Sequence, residues 1–234
     1  MIFVKEELSR LERLIGIEAV EVLKTKKVIV FGVGGVGGYV CDSLARCGIG
    51  QIDIVDNDKV SLSNINRQII ALHSTVDRDK VDVMKERMVD INPDVTVNTY
   101  KIFFTPENSS EIDLSKYDYV IDAIDTVKSK IEICVRCDKL NIRLISSMGT
   151  GNKLDPTKLK IADIYETSVC PLARAVRNEL KKKGIKKLKV LYSEEIPVTY
   201  AEGEEKRIPA SCSFVPSAAG LIISSEVVKD LIKK

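Results

Sequence analysis

Apolar residues in this chain fall into short continuous runs separated by longer stretches with helical spacing. VIVF (28–31), IDIV (52–55), VTVNTY (95–100), YVIDAI (119–124) and RLISS (143–147) read as strands. Several lack the polar alternation of a sheet with one wet face, so both of their faces are expected to be covered. Between them, residues 36–47, 78–91 and 127–140 read as helices. A last helix is expected over 217–232, starting after Pro216 with Ser217 near its cap. Strands alternating with helices build an α/β, Rossmann-like fold: a mostly parallel sheet with helices on both faces. The C-terminal third is less regular, and no Pro/Gly/Ser-rich linker interrupts the chain, so residues 1–234 read as one domain.

One junction between strand and helix carries more than fold information. In VIVFGVGGVGG, Gly32, Gly34, Gly35 and Gly37 follow an apolar strand and open a helix. Glycines let the backbone turn sharply and approach a phosphate, and the helix N-terminus supplies N–H donors and partial positive charge. Asp56 stands 19 residues after Gly37, at the end of the second strand. There a carboxylate can accept hydrogen bonds from ribose hydroxyls. The same fingerprint serves dinucleotide oxidoreductases, so the glycine loop alone leaves the nucleotide open.

The next segment bears on that choice. In DNDKVSLSNINRQIIALHSTVDRDK, Asn64, Arg67, Gln68 and Lys80 follow closely behind Asp56. Arg and Lys are the side chains that hold a triphosphate and stabilise a leaving pyrophosphate. AIDTVKSK then places Asp125 at the end of the fourth strand, as a hard oxygen ligand for Mg²⁺. The residues point to ATP. Composition adds little, since 36 basic and 34 acidic side chains select neither a nucleic acid nor a membrane globally. The N-terminus has charges within its first seven residues and no secretory pattern, no apolar run is long enough to span a bilayer, and six scattered cysteines suit reduced thiols. A cytoplasmic protein is expected.

GVGGVG, DNDKVSLSNINRQ, DRDK and AIDT together resemble the motifs of the ubiquitin-activating-enzyme-like adenylating superfamily. SSMGTGNKLDPTKLKIADIYET (146–167), CPLARAVRNELKKKGI (170–185) and SFVPSAAGLIISSEVV (213–228) look like its tRNA threonylcarbamoyladenosine dehydratase branch. That resemblance implies ATP-dependent cyclisation of the modified adenosine beside the anticodon, through adenylation of the threonyl carboxylate and release of AMP. It implies Asp56 on the ribose, Asn64, Arg67 and Lys80 on the phosphates, and Asp125 on the metal with Asp122 as fallback. It also implies a homodimer in which Arg10, with Arg13 second, reaches the ATP site of the other copy, and it allows a sulfur-relay protein partner. The alternative within the superfamily is adenylation of the C-terminus of a ubiquitin-like sulfur carrier.

The remaining reactive side chains have bland readings beside sharp ones. Cys134 and Cys137 form a single CxxC in a helical stretch, with no second pair to complete a zinc site. Cys170 and Cys212 fall where thioester-forming relatives keep a catalytic cysteine, and free cysteines are also common buried hydrophobes. His73 beside IIAL reads as structural. KKKGIKKLK (181–189) holds six lysines in nine residues, either an RNA-phosphate contact or a solvated helix end capped at Gly184.

Overall fold

The strands are β1 (Lys27–Phe31), β2 (Gln51–Val55), β3 (Thr99–Tyr100), β4 (Tyr119–Asp122), β5 (Arg143–Ser147), β6 (Leu159–Asp163) and β7 (Lys189–Ser193). The helices are α1 (Ser9–Ile15), α2 (Ile17–Lys24), α3 (Gly37–Arg46), α4 (Lys80–Ile91), α5 (Val127–Leu140), α6 (Pro171–Lys182) and α7 (Phe214–Ile232). The structure is a computed structural model that describes residues 5–198 and 209–233. Its strands form one seven-stranded sheet in the order β3-β2-β1-β4-β5-β7-β6, parallel throughout except for β6.

The unbroken apolar runs are explained by burial on both faces. Val28, Ile29, Val30 and Phe31 of β1 are all inaccessible to solvent. Val28 and Val30 join the core under α3 and α7, whereas Ile29 and Phe31 join the one packed against α5, with Phe104 and Ile133. Alternate residues thus feed opposite layers. On α7, Val215, Ala219, Ile223 and Val227 form a fully buried stripe at four-residue spacing. Contact with α3 is close enough that a Cβ at Gly220 would stand 2.6 Å from the Val36 carbonyl oxygen.

Three expected boundaries move. VTVNTY runs beside β2 and bridges it at Gln51↔Thr96, but only Thr99–Tyr100 forms a strand, and the Asn98 N–H donates to the buried Asp53 carboxylate (3.3 Å) instead of to a backbone carbonyl. The last helix begins at Phe214 instead of after Pro216. Proline is tolerated there because the first N–H groups of a helix have no intrahelical acceptor. The C-terminal third also holds more regular structure than its pattern displays: β6 pairs antiparallel with β7 from Leu159↔Ser193 to Asp163↔Lys189 and closes one edge of the sheet. No helix among the described residues is long and apolar enough to cross a membrane.

Candidate active site

At the end of β1 the chain turns at Gly32, whose φ of +89° disfavours any L side chain. Its N–H donates to the Val55 carbonyl (2.8 Å), and a Cβ would lie 2.8 Å from the Ala123 carbonyl oxygen. The turn therefore packs against the chain leaving β4, at the point where strand order reverses. Gly37 opens α3, and a Cβ there would stand 1.8 Å from the Gly32 oxygen. Gly34 differs: the nearest atom to a Cβ is Gln68 Nε2 at 3.9 Å, and Gly35 faces Pro216 and the Arg67 stem. Gly32 and Gly37 shape the turn; Gly34 and Gly35 keep it open towards a ligand.

Asp56, just beyond β2, ties this turn to its neighbour. Its Oδ2 accepts from Val33 N–H (2.7 Å) and its Oδ1 from Asp58 N–H (2.8 Å). Each oxygen keeps a lone pair for a hydroxyl donor. A short 3-10 turn over Leu62–Asn64 follows, held by the Asn64 side chain accepting from Ser61 N–H (3.1 Å). It presents Arg67, whose guanidinium donates to the Ser63 carbonyl and to Asn66 Oδ1, each at 2.8 Å. Gln68 is buried, and its Oε1 has no hydrogen-bond partner, an orphaned acceptor at the cleft wall. Lys80, the first residue of α4, has a side chain only 7% exposed, with Nζ 2.7 Å from the largely solvated Asp58. A buried ammonium with one wet partner is available to a second anion.

These residues converge. Gly32, Gly34, Gly35, Asp56, Asn64, Arg67, Gln68, Lys80 and the exposed Asp125 line one cleft of about 380 Å³. It sits at the carboxyl edge of the sheet, where open α/β folds bind ligands. Gly37 does not line it and acts through packing. Phe103, Thr150 and Ser211 also line the cleft. None stands out in sequence; the exposure that marks Phe103, about half its surface, becomes visible only in the structure. A larger groove of about 590 Å³ lies at the opposite end, beside Tyr119, Arg143 and Lys189 at the starts of β4, β5 and β7, and shares no lining residue with the cleft.

Other candidates fall elsewhere. Asp122 is no fallback metal ligand: it is fully buried, with Oδ2 3.0 Å from Lys130 Nζ and accepting the Ser146 hydroxyl (2.5 Å), while Oδ1 accepts from Ile124 N–H. That pair shapes the loop leading to Asp125 from below. His73 is exposed on the surface instead of satisfied structurally, and it does not line the cleft. Arg10 and Arg13 are exposed on α1 and do not reach the cleft of their own chain. Cys134 and Cys137 lie inside α5, where burial pushes the Cys134 thiol up to about 12 and raises that of Cys137 as well. Among the described residues no group of three or more His, Cys, Asp or Glu is placed to hold a metal. Cys170 is buried at the start of α6, and Cys212 Sγ lies 3.6 Å from the Lys153 carbonyl oxygen; neither lines the cleft.

Comparison with known proteins places the fold among characterised relatives. Residues 8–234 match the model of the ThiF family. The tRNA threonylcarbamoyladenosine dehydratase of Bacillus subtilis is 46% identical, the alignment covering 97% of this chain and 95% of that protein. The crystal structure of the Escherichia coli tRNA N6-threonylcarbamoyladenosine dehydratase TcdA in complex with AMP is 31% identical and superposes with a TM-score of 0.91, over 99% of this chain and 98% of that one. The same E. coli enzyme in complex with ATP gives a TM-score of 0.88 at 31% identity, over 99% and 97% of the two chains. A glycine turn, a carboxylate and two cations meet at one sheet edge, and the chain belongs to the ThiF family.

Proposed function

We propose that this chain is an ATP-dependent tRNA threonylcarbamoyladenosine dehydratase, acting as one adenylating unit over residues 1–234 in the cytoplasm. The observation that carries the reading is the meeting of Asp56, Arg67, Lys80 and Asp125 around a glycine turn, in a chain similar to the B. subtilis enzyme along almost its whole length.

A carboxylate is a poor electrophile at neutral pH. In the proposed reaction the threonyl carboxylate attacks the α-phosphate of ATP, forming a mixed anhydride and releasing pyrophosphate. The carbamoyl group then attacks the activated carbonyl carbon, a ring closes and AMP leaves. Adenylation asks the protein for positioning and for positive charge about the departing pyrophosphate. Asp56 accepts the ribose hydroxyls, while Gly34, Gly35 and the start of α3 offer backbone N–H groups to phosphate. The orphaned Gln68 Oε1 is an unused acceptor at the same wall. Arg67 and Lys80 bring the charge, Lys80 from a site where solvent screens it little. Asp125 would hold Mg²⁺, which would supply further charge neutralisation; one carboxylate would suffice, since this ion keeps several waters. No side-chain nucleophile is needed, because the attacking group belongs to the substrate.

Arg10, solvent-exposed on α1, is read as reaching the cleft of a second copy in a homodimer. The test of the whole reading is nucleoside mass spectrometry after incubation with Mg-ATP and tRNA carrying threonylcarbamoyladenosine. Loss of one water from the nucleoside is expected. An unchanged nucleoside, with AMP formed instead on a ubiquitin-like carrier protein, would move the chain to the carrier-activating reading and open the question of a sulfur-relay partner.

A further inference from the structure

We propose that the exposed face of α6 and the lysine-rich turn behind it form the docking track for the sugar-phosphate backbone of the tRNA anticodon stem. The inference rests on the dehydratase reading and adds where the RNA lies.

Charge is the first observation. From Pro171 to Lys189 the chain carries eight basic side chains against Glu179 alone, a local excess of seven. The whole chain has a net charge of only +2, so the rest of it is net acidic. A polyanion meets attraction along this segment. The cations are also free to act. Arg174, Lys183, Lys186 and Lys187 are exposed and have no carboxylate partner among the described residues. Lys101, Lys128 and Lys160, by contrast, each have a carboxylate at 2.8 Å or closer.

Position is the second observation. α6 begins beside the cleft: Cys170 Sγ would lie 3.8 Å from a Cβ at Gly149, and the adjacent Thr150 lines the cleft itself. The helix then runs away from it, because β7, which follows, is parallel to β5 and starts at the opposite edge of the sheet. Twelve residues carry α6 about 18 Å in that direction. Its first turns border a depression of about 470 Å³ lined by Ser168, Arg174 and Asn178, with Arg177 held in place through the Thr167 carbonyl (2.8 Å). Lys181 continues the same face seven residues after Arg174, and Lys183, Lys186 and Lys187 extend it around Gly184, which has a φ of +74°. A base inserted in the cleft would leave its strand running along this line of cations.

The turn from Lys181 to Lys187 exposes no large apolar side chain, since Ile185 is buried, so neither a protein hot spot nor a membrane has an anchor there. Backbone phosphates need none.

The test is fluorescence-anisotropy titration of full-length tRNA carrying threonylcarbamoyladenosine between about 50 and 200 mM salt. It compares the wild-type chain with the Lys183→Gln, Lys186→Gln, Lys187→Gln triple variant. The variant is expected to bind about tenfold or more weakly at low salt, with the slope of log affinity against log salt reduced by about 2 to 3. Its ATP affinity and melting temperature should match the wild type, which separates a docking effect from misfolding. Unchanged tRNA affinity and slope in the variant would overturn the track while leaving the dehydratase reading intact. Steep, lysine-dependent binding by a wild-type chain that dehydrates nothing would support the track and remove that reading instead.

Discussion

Gly34 and Gly37, three residues apart in one turn, should respond in different ways to a single methyl group. A Cβ at Gly37 would stand 1.8 Å from the Gly32 carbonyl oxygen, an overlap that no side-chain rotation can relieve. Forcing extra volume into a packed site costs about 1–3 kcal/mol, and a backbone obstacle belongs at the upper end. The better helix propensity of alanine offsets at most about 1 kcal/mol, leaving a net loss near 2 kcal/mol. At roughly 2–4 °C per kcal/mol for a chain of this size, Gly37→Ala should melt about 4–8 °C early. At Gly34 the nearest atom is 3.9 Å away and φ is not in the left-handed region, so Gly34→Ala should change stability by less than about 0.5 kcal/mol. Its methyl nevertheless projects into the cleft proposed to hold the phosphates, so ATP should bind at least about tenfold more weakly, a loss of about 1.4 kcal/mol or more. Calorimetric melting and ATP titration of both variants decide the matter. Gly34→Ala binding ATP normally, or Gly37→Ala melting with the wild type, would refute the division of labour within the turn.

The two aspartates behind β4 should separate in the same manner. Asp122→Ala strands the buried Lys130 ammonium and should cost about 3–5 kcal/mol in chemical denaturation, whereas Asp125→Ala should leave stability within about 0.5 kcal/mol and abolish turnover. Cys170→Ser and Cys212→Ser should each keep dehydratase activity; loss of turnover in both without unfolding would contradict a mechanism free of thiol nucleophiles. The Asp230–Lys189 pair (2.6 Å) sets a pH dependence of stability. Burial opposes ionisation of Asp230, but hydrogen bonds from Lys189 and Tyr119 outweigh it and hold its carboxyl below the ordinary range. Its contribution is therefore present above about pH 4 and lost as pH falls through the depressed value. Burial likewise opposes the charge of Lys189, yet bonds to Asp230 and Glu226 raise its pKa, so that contribution is present below about pH 10 and lost above its raised value. Unfolding midpoints should be flat between these limits with respect to this pair and fall in acid, and Lys189→Met should flatten the acid fall.

What the sequence revealed and what it hid have physical causes. Continuous apolar runs are unambiguous when both faces of a strand are buried, and α5 occupies 127–140 as its pattern predicts. The glycine turn was legible because Gly32 and Gly37 have steric requirements that other residues do not meet. β3 was overestimated because the Asn98 N–H donates to the Asp53 carboxylate in place of a ladder carbonyl, in a stretch whose propensities favour a longer strand. Pro216 misplaced the start of α7, since proline marks a boundary without saying on which side of it the first turn lies. Asp122 and Asp125 look alike in AIDT. Their difference is one of parity: Asp122 follows Val120 onto the face covered by α5, and Asp125 lies beyond the strand at the cleft. The convergence of Asn64, Arg67 and Lys80 depends on the turn between β2 and α4, which has no periodicity to read; their closeness in sequence behind Asp56, and then the family resemblance, were what grouped them beforehand.

The central claim is that Arg67 and Lys80 neutralise phosphate charge on ATP while a carboxylate of the tRNA is adenylated. The most direct measurement is quantification of AMP and cyclised nucleoside in the same reaction, with ATP labelled at the α-phosphate, for the wild-type chain and for Arg67→Ala and Lys80→Ala. The account predicts equal amounts of AMP and cyclised nucleoside from the wild type, and neither from the two variants, which melt as the wild type does. Cyclisation without AMP, or undiminished turnover in both variants, would contradict it.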